Sequence, residues 1–179
     1  MSRRNKPLAF FVLVVALLFG SFQEKVKISV NNIIKYSGSI SNYDSLAPQQ
    51  RKENVAIIIA NIPRGFYSHQ NSISWFYNLE IAQLSKLKWV NTLIFTLIHF
   101  ILNALILHFL FQNNSLIQIL VFSYIILFLV SVGVYSIGKI AGLAHPGYNV
   151  ARKIVGALQS QVPVMIFVIG YYLNKKTIT

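Results

Sequence analysis

The sequence predicts an all-α membrane protein with about four transmembrane helices and a polar external segment between the first and the second. Three observations carry that reading. Of 179 residues 55% are hydrophobic, only 11% are charged, and the longest apolar runs approach or exceed the roughly 20 residues with which an α-helix crosses about 30 Å of hydrocarbon. A water-soluble domain of this size has too little polar surface to cover such a composition, so lipid must be the solvent for most of the chain.

The first run, Leu8 to Phe22, follows Arg3, Arg4 and Lys6, the pattern of a signal peptide or of an uncleaved signal anchor. Residues 1–22 are expected to form an N-terminal signal-anchor helix. Residues 23–88 hold all four acids, Glu24, Asp44, Glu53 and Glu80, and are expected to form the external polar segment. Within it Val26, Ile28 and Val30 alternate as in a half-buried strand, and the apolar run Val55 to Ile62 has the length of another strand. Pro48 and the cluster Gln49 to Glu53 read as a solvated turn. Apolar Trp75, Phe76, Leu79, Leu84 and Leu87 recur at helical spacing, which predicts an amphipathic helix over Ser72 to Lys88, either lying on the membrane surface or packed as a lid on the polar segment. Residues 89–179 are expected to form a three-helix transmembrane region, with spans at Trp89–Phe111, Leu116–Ile137 and Ile154–Leu173. The short turn Gln112 to Ser115 makes the second and third spans antiparallel neighbours. Arg152 and Lys153 are expected at the interface where the last span begins.

An even number of spans places both termini on one side, and the basic residues Arg3, Arg4, Lys6, Lys175 and Lys176 attract both to the cytoplasmic face. The expected location is a bacterial inner membrane. The formal charge of +12 then belongs to flanks and loops that meet anionic lipid headgroups. The basic residues form no tract beyond short pairs, so no nucleic-acid partner is expected. The chain has no cysteine, which removes disulfides, thiolate metal sites and cysteine nucleophiles.

The polar side chains of the spans are the candidate site. Lys88, Thr92, Thr96, His99 and Asn103 are spaced by fours and a three, which confines them to one helical stripe. Such a stripe cannot face lipid; it must meet another helix or a partner protein. In the third span Tyr124, Ser131, Tyr135 and Gly138 share a face, with Gly142 in phase if the helix continues. In the fourth Gly156, Gln159, Pro163 and Gly170 share another, and Pro163 is expected to kink the helix and free a carbonyl. The candidate partner-binding residues are therefore Thr92, Thr96, His99, Asn103, Tyr124, Ser131, Tyr135 and Gln159. No predicted span holds an Asp or Glu, which argues against carboxylate catalysis or a hard-cation site there. Ser136 between Gly133 and Gly138 does not match the G-x-S-x-G spacing of a serine nucleophile, and His69 with the four scattered acids has no metal-ligand spacing. No catalytic residue and no cofactor are expected.

Lys88, Trp89, Asn91 and Thr92 opening a long span, the turn Gln112 to Ser115, and Ala151, Arg152 and Lys153 leading to Leu158, Gln159 and Ser160 resemble the small exosortase-associated membrane proteins of Bacteroidota. The resemblance covers the C-terminal half. It implies an accessory to an exosortase, the membrane transpeptidase of a protein-sorting system. That enzyme uses a cysteine nucleophile, so this chain is not itself the exosortase. The expected function is a non-enzymatic subunit that binds or stabilises a larger integral membrane protein. A small transporter subunit, or an accessory subunit of a respiratory complex, is the alternative on the same residues.

Overall fold

A computed structural model describes residues 5–61 and 73–177. The described residues contain helices and turns and no strand: α1 (Lys6–Ser37), α2 (Pro48–Ala60), α3 (Ile81–Phe111), α4 (Asn114–Ile140), α5 (Ala144–Leu158) and α6 (Val162–Thr177). This is an all-α membrane protein. Three helices, α1, α3 and α4, are long and apolar enough to cross a membrane, and α5 with α6 makes a fourth if the pair, bent by 62°, counts as one span. Phe10, Phe11, Leu18, Phe122, Leu129 and Ile166 are among many large apolar side chains exposed on these helices, as they must be where acyl chains replace water.

The chain divides into two compact units, one of residues 1–20 with Phe95 onward, the other of Ser21 to Ile94. The second unit departs most from the sequence reading. Both expected strands are helical. Val26, Val30 and Ile33 are buried along one face of α1, so the alternation of Val26, Ile28 and Val30 was part of an i, i+4, i+7 pattern. The run at Val55 is the end of α2, which starts at Pro48; there the fixed φ and missing N–H of proline suit the first turn. The Gln49 to Glu53 cluster lies inside α2 rather than in a turn. Residues 62–72, which include Ile62, His69 and Ser72, lie outside the described residues.

The two expected boundaries also fall inside helices. α1 passes Phe22 and carries Glu24, so one acid does lie in a long apolar helix, where it is exposed. The expected amphipathic helix is instead a 3-10 turn, Ser74–Asn78, followed by the first turns of α3. A change from apolar to polar marks the edge of the hydrocarbon, and a helix need not end there.

Arg51 organises this unit. Its guanidinium is buried and donates to the carbonyls of Tyr43 (3.1 Å), Asp44 (2.5 Å), Tyr77 (3.3 Å) and Leu79 (3.2 Å). It also lies 5.2 Å from the centre of the Tyr43 ring. One side chain thus ties the turn before α2 to the turn before α3, while the Asp44 carboxylate accepts the Ile81 N–H at 3.0 Å. Charge-assisted bonds are worth about 1.5–3 kcal/mol each. Arg51→Met is therefore expected to speed limited proteolysis of the 38–80 connector by roughly tenfold or more, measured on the folded protein in mild detergent.

Tyr43 gives this unit a pH dependence. Burial pushes its hydroxyl up to about 12, against the lowering pull of Arg51, and the oxygen has no hydrogen-bond partner among the described residues. An unfolded tyrosine ionises near about 10 and so loses its proton first. Stability from this group is complete below that value and is lost as the pH rises towards about 12. Tyr43→Phe is expected to flatten the loss, read by connector proteolysis across the same window.

Candidate functional site

In the membrane unit, α4 and α5 form a close antiparallel pair whose contact is set by glycine. A Cβ on Gly138 would meet the Gly147 Cα at 2.9 Å and the Leu143 carbonyl at 3.1 Å. No side chain fits there, so the backbones touch. Gly142, expected in phase with Gly138, is instead the turn residue at φ +73, a region glycine enters without penalty. Ser131 on α4 donates to the Ala151 carbonyl at 3.2 Å, and Tyr135 meets Tyr148 edge to face, with centroids 6.4 Å apart.

The helix expected as the fourth span begins at Ala144, earlier than the expected Ile154, and is broken into α5 and α6 between Leu158 and Val162. Pro163 explains the position. Its ring excludes a hydrogen bond to the carbonyl four residues back, that of Gln159, so the break precedes the proline by one turn. The freed backbone groups meet polar side chains from α3 and α4. Tyr124 donates to the Leu158 carbonyl at 2.7 Å. Asn103 donates through Nδ2 to the Ser160 carbonyl at 3.0 Å and to the Tyr124 hydroxyl at 2.8 Å. Gln159 donates to Thr96 Oγ1 at 2.8 Å.

No family model, no curated protein and no solved structure matches the chain. The site therefore speaks through its own geometry.

Five of the eight candidate residues, Thr96, Asn103, Tyr124, Ser131 and Gln159, are hydrogen-bonded to one another or to backbone of the same unit. His99 is 1% exposed and Asn103 0%. The His99 Nδ1 lies 2.9 Å from the Phe95 carbonyl; a carbonyl only accepts, so that nitrogen carries the proton. The ring packs against Phe19 at 5.3 Å. Thr92 bonds back to the Lys88 carbonyl at 2.9 Å, the local solution open to threonine in a helix. The stripe is thus polar packing around a broken helix. Its aliphatic surroundings, Ile106, Leu107, Leu120, Leu158 and Val164, complete the buried cluster.

Within the membrane unit, Asn103 Oδ1 and Gln161 Oε1 are buried with no hydrogen-bond partner among the described residues. Ser136 is exposed. Among the described residues no group of three or more His, Asp or Glu side chains is placed to hold a metal ion. Two features escaped the sequence reading. Arg51 was hidden because its partners are main-chain carbonyls, which no residue pattern encodes. The Gly138–Gly147 contact was half visible, as Gly138 lay on the third span's small-residue face.

Proposed function

We propose that the chain is a non-enzymatic integral membrane subunit that binds or stabilises a larger membrane partner, of the kind found in an exosortase-type protein-sorting system. One observation supports this best: the polar residues that a permeation path or a reaction site would need are closed into helix contacts, with His99 and Asn103 buried. Tight contact of this sort builds a rigid body. It does not line a channel.

The proposed setting is a bacterial inner membrane with both termini cytoplasmic. The ring of Tyr171 on α6 lies 4.3 Å from that of Phe111 at the end of α3, so the bent pair returns to the level of the α3–α4 turn. That supports four crossings. Lys139 flanks the opposite turn and pulls against this orientation, so labelling must weigh the two. The chain is free of cysteine, which makes Asn113→Cys and Ala141→Cys clean probes. Cytoplasmic termini require that Asn113→Cys be shielded from an impermeant thiol reagent in intact cells and that Ala141→Cys react; the reverse pattern inverts the orientation.

The role itself is tested by gentle detergent extraction from native membranes. The chain is expected to migrate with a larger membrane protein in fixed ratio. Migration alone, under conditions that preserve other membrane complexes, ends the proposal.

A further inference from the structure

The stripe predicted to bind a partner is occupied internally, yet α5 carries a second polar face that is not. Gly147, Ala151 and Leu158 are its buried side. On the other side His145, Asn149, Arg152 and Lys153 are exposed. Asn149 and His145 contact each other at 3.2 Å, and among the described residues Arg152 and Lys153 make no ion pair.

Their depth makes this face unusual. The Ser131 hydroxyl bonds the Ala151 carbonyl, so the α5 backbone at Arg152 and Lys153 lies near the level of Ser131, within the length of α4 and not at its end. Ser131 is nine residues inside the α4 end at Ile140, about 14 Å at 1.5 Å per residue. The 27 residues of α4 measure about 40 Å, some 10 Å more than the hydrocarbon core. With the excess shared between its ends, the two cations emerge about 9 Å below the hydrocarbon surface. Exposed charges at that depth are costly unless another group meets them.

We infer that the His145, Asn149, Arg152 and Lys153 face of α5 docks a transmembrane helix of the partner that carries a carboxylate at the matching depth. This rests on the accessory-subunit reading and relocates its contact surface. Charge complementarity selects the occupant. A second copy of this chain is poorly suited, because the one acid on its long apolar helices, Glu24, is flanked by Lys25 and Lys27. A lipid phosphate is the competing anion. Side chains on α5 tilt towards its N-terminus at Ala144, the direction in which long basic stems snorkel.

The test uses the full chain in phosphatidylcholine vesicles with a labelled poly-leucine helix bearing one Asp, placed about 9 Å below the hydrocarbon surface. Energy transfer is expected to show at least tenfold tighter association than with the all-leucine helix or with Asn in place of Asp. Arg152→Gln with Lys153→Gln should remove the preference and leave helix content by circular dichroism unchanged. Equal association of all three helices overturns the inference. So does retention of phosphatidylglycerol, without Asp preference, that the double variant loses; so does self-association of the chain that the double variant loses. The double variant is also extracted from native membranes. If it still migrates with the larger protein, this face is not the contact although the subunit reading stands, whereas a wild-type chain that migrates alone defeats that reading first.

Discussion

Gly138→Leu is expected to abolish the packed form of the membrane unit. A methyl group alone would sit 2.9 Å from the Gly147 Cα, and backbone cannot rotate aside as a flexible side chain can. Overpacking in a tight core costs about 1–3 kcal/mol; a branched side chain at a backbone contact belongs at or beyond the upper end. Gly138→Ala should lower thermal stability in detergent measurably, and Gly138→Leu should separate α4 from α5. Gly147→Ala is the matched control, since its Cβ would meet the Gly138 Cα at 3.0 Å and the Val134 carbonyl at 3.1 Å. Gly156, where a Cβ meets nothing within 4 Å, should accept alanine without loss. Equal melting temperatures for all three alanine variants would show that the close approach is not maintained.

Asn103→Leu is expected to have the next largest effect. It deletes the donors to the Ser160 carbonyl and the Tyr124 hydroxyl while roughly preserving volume. Hydrogen bonds between membrane helices average about 0.6 kcal/mol and reach about 1.7 kcal/mol. Two such bonds plus a buried carbonyl left unmatched amount to about 2 kcal/mol. Tyr124→Phe removes the donor to the Leu158 carbonyl and should cost less. Because Asn103 and Tyr124 bond each other, the double variant should cost less than the sum of the single ones. Strict additivity would mean that the two residues do not act as one network.

How much of this was legible in the sequence follows from what each signal measures. Apolar runs and a polar stripe at spacings of three and four are properties of side chains, and they located the helices long and apolar enough to cross a membrane, together with Thr96, His99, Asn103, Tyr124, Ser131 and Gln159 as residues that face protein. They did not say that these residues would satisfy one another. That depends on the broken fourth span, whose position was signalled by Pro163 but whose partners lie on two other helices. The α1 extension to Ser37 was hidden because Val26, Ile28 and Val30 fit a period of two as well as a helix over so short a stretch. Arg152 and Lys153 were misplaced to the start of the fourth span because a charge pair beside an apolar run looks like a boundary. In the structure α5 begins at Ala144, and packing on α4 carries the pair inward.

The bend between α5 and α6 also bears on how the protein is made. The 15 residues of α5 and the 16 of α6 each extend only about 22–24 Å, short of the roughly 30 Å that an inserting helix must bridge. Neither half qualifies for independent release into lipid. The carbonyls exposed at their junction gain donors only once Asn103 and Tyr124 have arrived, so α3 and α4 serve as a template that the insertion machinery must leave accessible while α5 and α6 are placed beside them.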